Sequence, residues 1–151
     1  MVARVISIKN GEGAAPHAAA IVDTLTLDHA ARHVRRRRFT CDGGTEIALD
    51  LPAAAHLREG DRLVLEDDRE IAIRAAVEPL LEVRPGADAA LAALAWHLGN
   101  RHVPISIGEG RIVVARDAVL MRMLEGLGAT LREVDEPFEP VSGAYHHHDH
   151  Q

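Results

Sequence analysis

Lysine, cysteine and aromatic residues are scarce in this 151-residue chain. Lys9 is the only lysine, and nearly every basic side chain is arginine. A phosphate-binding loop of the Gly-Lys-Ser/Thr type is excluded, because Lys9 lies in Ile8-Lys9-Asn10. An imine-forming enzyme would have to use that same residue, which reads as a strand end. Cys41 stands alone, so no intrachain disulfide and no Cys-x-x-Cys site can form, and a reducing cytoplasm is the simplest home. The aromatic residues are Phe39, Trp96, Phe138 and Tyr145, so the core must be aliphatic. No apolar run approaches the ~20 residues of a membrane span, and none follows Met1-Val2-Ala3-Arg4 as a signal peptide requires. Gly-x-Ser-x-Gly and His-Glu-x-x-His are missing as well. Net charge is −6 with neutral histidines, which argues against general nucleic-acid binding.

What is present reads first as strands. Val2 to Ile8 alternates, a Gly/Ala/Pro loop follows from Asn10 to Pro16, and Ile21 to Leu27 alternates again. Asp28 to His33 reads as a turn. Arg35-Arg36-Arg37-Arg38-Phe39-Thr40-Cys41 runs into Asp42-Gly43-Gly44, a hairpin signal. Ile47, Leu49 and Leu51 share one face. Gly60-Asp61 and Asp67-Asp68 punctuate two further short strands. This spacing predicts a small all-β module, a barrel or sandwich, over residues 1–77. Four consecutive arginines in a strand point alternately to its two sides. They suit a solvated edge, or a docking surface for an acidic protein partner.

The pattern changes near Glu78-Pro79. Leu80 to Val83 is a strand, and Pro85-Gly86 breaks it. Asp88 is a candidate helix cap, with Leu91, Leu94, Ala95 and Leu98 on one helical face. Gly99 reads as the stop. Val103 to Ile107 and Ile112 to Ala115 read as strands around Gly108-Glu109-Gly110. Asp117 caps a second helix with Leu120, Met123, Leu124 and Leu127 inward, stopped by Gly128, and Thr130 to Val134 is the last strand. The order β-α-β-β-α-β predicts a ferredoxin-like domain over 78–135. Residues 136–151 form a tail expected to be flexible, because Pro137, Pro140, Gly143 and the histidines offer nothing to pack. The whole is an α+β chain: an N-terminal all-β domain, a ferredoxin-like βαββαβ domain and a His-rich tail.

The chemistry lies in imidazoles. His146, His147, His148 and His150 fall within five residues, a metal-binding composition. A flexible imidazole segment suits capture and handover of borderline divalent metals better than catalysis. His97 and His102 are five residues apart, roughly 140° around a helix, so they do not share a face. A lone loop histidine is more often structural than a ligand. A twofold dimer would pair one His102 with its twin and make a two-imidazole site on the axis. Cys41, far in sequence from any histidine, reads as packing.

Trp96-His97-Leu98-Gly99-Asn100-Arg101-His102-Val103-Pro104 closely resembles the signature of the UreE family of urease accessory proteins, in which Gly-Asn-Arg-His follows a helix. Met123 to Gly128, Pro137-Phe138-Glu139-Pro140 leading to Gly143-Ala144-Tyr145, and the His-rich end also match. So do the arginine-rich strand before Asp42-Gly43 and the Gly60-Asp61 turn. The resemblance covers nearly the whole chain. It implies a cytoplasmic nickel metallochaperone, not an enzyme, that dimerises through its ferredoxin-like domain. His102 then binds Ni(II) at the dimer axis with His146, His147, His148 and His150 in the tail, and nickel passes to an accessory GTPase and the urease apoprotein. Zn(II) and Cu(II) suit the same ligands. Some members carry further histidines at the start of the second helix, where Arg116, Asp117 and Ala118 stand here. The competing reading is an interaction module of the urease maturation complex, docking through Arg35, Arg36, Arg37 and Arg38, whose histidines only buffer metal. A metal-dependent hydrolase lacks a convincing base, since Glu109 lies in a turn. No nucleic acid or membrane is expected as a partner.

Overall fold

In a computed structural model of the chain, residues 1–11, 21–87 and 90–141 are described. They divide into two compact units, Met1–Ala76 and, beyond it, 77–141. Both are mostly sheet, and the two α-helices lie in the second.

The first unit contains β1 (Ala3–Lys9), β2 (Ile21–Leu27), β3 (His33–Thr40), β4 (Glu46–His56), β5 (Arg62–Leu65) and β6 (Glu70–Ala75), with one 3-10 turn, Ala30–Arg32. Their order in the sheet is β2-β6-β5-β1-β4-β3, with β1–β4 and β2–β6 parallel and the other pairs antiparallel. Alternate residues of these strands meet in one aliphatic core that includes Val5, Leu25, Ile47, Leu49, Leu63 and Ile71. The turn after β3 reaches the other end strand, β2: the Asp42 N–H donates to the Thr24 carbonyl at 2.8 Å, and the Gly43 N–H to Asp23 Oδ1 at 2.8 Å.

Strand β4 is longer than its alternating segment suggests. It continues through Pro52 to His56, where its partner β3 shifts register between Val34 and Arg36. A bulge is where a strand tolerates proline, since the lost N–H is not needed in the ladder.

The second unit is built from β7 (Val77–Arg84), α1 (Leu91–Asn100), β8 (Ser106–Gly108), β9 (Arg111–Ala115), α2 (Ala118–Gly126) and β10 (Thr130–Pro137), with sheet order β10-β7-β9-β8. Both helices pack their apolar faces on one side of this sheet. Leu94, Leu98 and Leu124 are buried there with Leu81, Val83, Ile112 and Val114. Asp88 lies outside the described residues; Ala90 precedes α1 and offers no side-chain cap. Asp117 does cap α2, accepting from the Val119 and Leu120 N–H groups at 2.8 and 3.0 Å.

The other side of the sheet corrects the expectation for residues after 135. Strand β10 runs to Pro137, Phe138 is buried with Leu80 and Val113, and Pro140 is buried too. The aromatic ring supplies the packing that the surrounding prolines and acids do not. On the same sheet, Glu82 is 3% exposed and accepts from Arg84 (2.9 Å), Arg111 (2.9 Å) and Arg132 (3.1 Å). Arg111 also grips Glu136 through both guanidinium nitrogens at 3.0 and 2.8 Å. These donors, Arg84 foremost, hold the Glu82 carboxyl at about 2 against the opposing effect of burial.

Candidate metal centre

Helix α1 passes through Gly99 and ends one residue later, so Gly99 is not its stop. Arg101 is the half-helical cap, and His102 follows with φ +58°. The His102 N–H donates to the Gly99 carbonyl at 3.0 Å, and the Val103 N–H to the Leu98 carbonyl at 3.2 Å. This pair of reversed bonds is the Schellman ending, whose left-handed residue is usually glycine. A side chain there crowds the backbone and costs roughly 1–2 kcal/mol. Pro104 reinforces the stop, because its ring disfavours helical backbone at Val103. His102 therefore sits in a turn, not at the start of a strand, and β8 begins only at Ser106.

The His102 side chain is exposed and makes no hydrogen bond or ion pair among the described residues. His97 is half-buried, edge-on to Trp96 with ring centroids 5.0 Å apart. The outer face of α1 is apolar: Ala92, Ala93, Trp96 and Gly99 are all exposed, Trp96 to 65%. The Val141 N–H donates to the Ile105 carbonyl at 2.8 Å, so the chain reaches its last described residue beside the segment that follows His102. His146, His147, His148 and His150 lie outside the described residues. The start of α2 is committed to structure. Arg116 donates to the Leu80 carbonyl (3.1 and 3.2 Å) and the Val134 carbonyl (3.0 Å), and Asp117 is the cap.

Arg35, Arg36, Arg37 and Arg38 are all exposed on β3, at the end of the sheet order. Arg36 pairs with Asp50 at 2.9 Å, Arg35 donates to the Pro52 carbonyl at 3.3 Å, and Arg37 lies 4.9 Å over the Phe39 ring. Cys41 is buried, and burial, with the nearby charges of Asp23 and Asp42, pushes its thiol up to about 11. A thiol so held stays protonated near neutral pH, which makes it a poor nucleophile.

Sequence reading overlooked three histidines of the first unit. His29, His33 and His56 offer one ring nitrogen each, all within 4.8 Å of one another. Their ring centroids lie 5.0, 5.3 and 4.3 Å apart. His33 and His56 are direct partners across the β3–β4 ladder. Burial, then the charges of His33, His29, Arg32 and Arg58, push the His56 imidazole down to about 4. The available signal was the i, i+4 pair His29 and His33; nothing local to His56 announced the third member.

The chain is thus an α+β protein of two compact units, rich in sheet, with a cluster of three imidazoles among its described residues. Residues 6–76 match the UreE urease accessory protein N-terminal domain, and residues 78–151 match its C-terminal domain. The urease accessory protein UreE of Chelativorans sp. is 52% identical over 128 residues, 85% of this chain and 81% of the relative. The UreE proteins of Rhizobium meliloti and Mesorhizobium japonicum are each 50% identical, over 83% and 88% of this chain and 82% and 66% of their own lengths. The chain belongs to the UreE family of urease accessory proteins, and it is an accessory protein rather than an enzyme.

Proposed function

We propose that this protein is a metallochaperone of urease maturation that captures Ni(II) through His102 and delivers it for assembly of the urease active site. The observation that carries the reading is His102 itself. It is an exposed imidazole without a partner among the described residues, held in a left-handed turn where glycine would cost less. One imidazole is a weak site. A second copy related by a twofold axis supplies its twin, and the apolar outer face of α1, one turn away, suits such a homodimer. The second unit has the strand order of a ferredoxin-like domain, and it is the dimerising and metal-binding part. Val141 is five residues before His146, a span of up to roughly 17 Å when extended. With Val141 bonded beside Ile105, His146, His147, His148 and His150 can reach the His102 pair and act as its collector. Zn(II) and Cu(II) compete for the same nitrogens. The receiving partners are the urease accessory GTPase and the urease apoprotein, in the cytoplasm. No helix among the described residues is long and apolar enough to cross a membrane.

Calorimetric titration with Ni(II) tests the reading. One tight metal per two chains is expected, with weaker tail sites above it. His102→Ala should remove the tight site, and its retention would falsify the assignment. Affinity should fall on acidification, since imidazole binds metal only when neutral.

The exposed arginines of β3 favour a second role for the first unit, docking an acidic partner surface. Reversing the charge at Arg36 and Arg38 should impair urease maturation with Ni(II) affinity unchanged. Unimpaired maturation removes this role.

A further inference from the structure

We infer that His29, His33 and His56 form a second metal site, a tri-imidazole centre on the first unit for a borderline divalent cation such as Zn(II). The site does not depend on His102 or on dimerisation.

Two of the rings are close in sequence, and the third comes from another strand. His29 precedes the 3-10 turn Ala30–Arg32, His33 opens β3, and His56 closes β4. Each is fixed by backbone. The turn is held by the Ala31 N–H donating to Asp28 Oδ1 at 2.8 Å, and the β3–β4 ladder sets His33 opposite His56. The His29 carbonyl can only accept, so the 3.2 Å contact from His33 Nδ1 makes that nitrogen the protonated one. The lone pair of His33 is then on Nε2, with the second nitrogen anchored as in known metal-bound imidazoles. His56 Nδ1 is buried and has no hydrogen-bond partner among the described residues. Such orphaned groups are rare, and a metal ion is one way to satisfy them.

The dimensions fit. Metal–nitrogen bonds of about 2.0–2.1 Å place tetrahedral donors about 3.3–3.4 Å apart. The three donor atoms lie within 4.8 Å, so modest side-chain rotations close the site. His33 is exposed, leaving the fourth position to water or to a donor from another molecule. Three imidazoles with one open position is the zinc arrangement found where the metal must exchange a ligand. Arg32 and Arg58 oppose a cation nearby, which moderates affinity. Arg32 is turned to other work, donating to the Leu27 carbonyl at 2.9 Å and the Leu57 carbonyl at 3.2 Å.

The test uses the full chain carrying His102→Ala and alanine at His146, His147, His148 and His150. Titration with Zn(II) should still give one site per chain, and X-ray absorption should show a shell of imidazole nitrogens. Adding His33→Ala, an exposed position, should weaken this site at least tenfold with the far-UV dichroism unchanged. His29→Ala should do the same. Absence of binding in the five-substituted chain, or binding that survives both His33→Ala and His29→Ala, overturns the proposal. Neither result bears on His102, whose own test is the Ni(II) titration above.

Discussion

Helices α1 and α2 end in the same hydrogen-bonded turn, but one puts histidine where the other puts glycine. In α2 the Gly128 N–H donates to the Glu125 carbonyl at 3.0 Å and the Ala129 N–H to the Leu124 carbonyl at 3.0 Å, with Gly128 at φ +86°. In α1 the same positions are His102 and Val103. The α2 turn is locked from outside, since a Cβ on Gly86 would land on the Gly128 carbonyl oxygen. The α1 turn is open: a Cβ on Gly99 meets nothing within 4 Å, and His102 is exposed. In one turn glycine relieves the left-handed backbone at Gly128, and Gly86 lets the chain pass close beside it. In the other, a strained residue is kept where packing gives no reason for it, which is the pattern of a functional position.

The comparison can be broken at several strengths. Gly86→Ala forces backbone against backbone and should cost about 3 kcal/mol in denaturant unfolding. A loss under about 1 kcal/mol would mean the α2 turn is not locked. Gly128→Ala should cost about 1 kcal/mol, from the left-handed backbone alone. His102→Gly should run the other way and raise stability by about 0.5–1 kcal/mol while the tight Ni(II) site is lost. A destabilised His102→Gly chain would show that the imidazole packs after all.

The pH-dependent test concerns the sheet that both helices share. Glu82 has a folded pKa of about 2 against an ordinary 4.5, so its ionised form is favoured by folding. Its contribution is complete above 4.5 and is lost as pH falls from there through about 2. The stability difference between the native chain and Glu82→Gln should therefore be constant from pH 8 to 5 and shrink below. A constant difference down to pH 2 would mean that the three arginines do not act on Glu82.

Much of the fold was legible because it follows local periodicity. The inward residues of both helices, the Asp117 cap, the Asp42-Gly43-Gly44 turn and the bounds of β2 all came from spacing and turn chemistry. The extension of β4 was not legible, because Leu51-Pro52-Ala53-Ala54-Ala55 does not alternate; its pairing with β3 across a bulge makes it strand. Likewise β7 begins at Val77 and accepts Pro79, supported by its ladder with β10. Phe138 fell within the expected tail of 136–151 because nothing in sequence shows that Leu80 and Val113 lie beside it.

The candidate sites divide in the same way. Sequence by itself put imidazole forward as the candidate metal ligand, placed His102 after a helix, excluded a phosphate-binding loop of the Gly-Lys-Ser/Thr type, and showed which family the motifs resemble. These are properties of residue type and of near neighbours. Only the tertiary structure decided that His102 occupies a left-handed turn, since α1 runs past Gly99 and its backbone bonds then close at Val103. Only the strand register brought His56 opposite His33 and beside His29, because pairing between β3 and β4 joins residues that no local period connects.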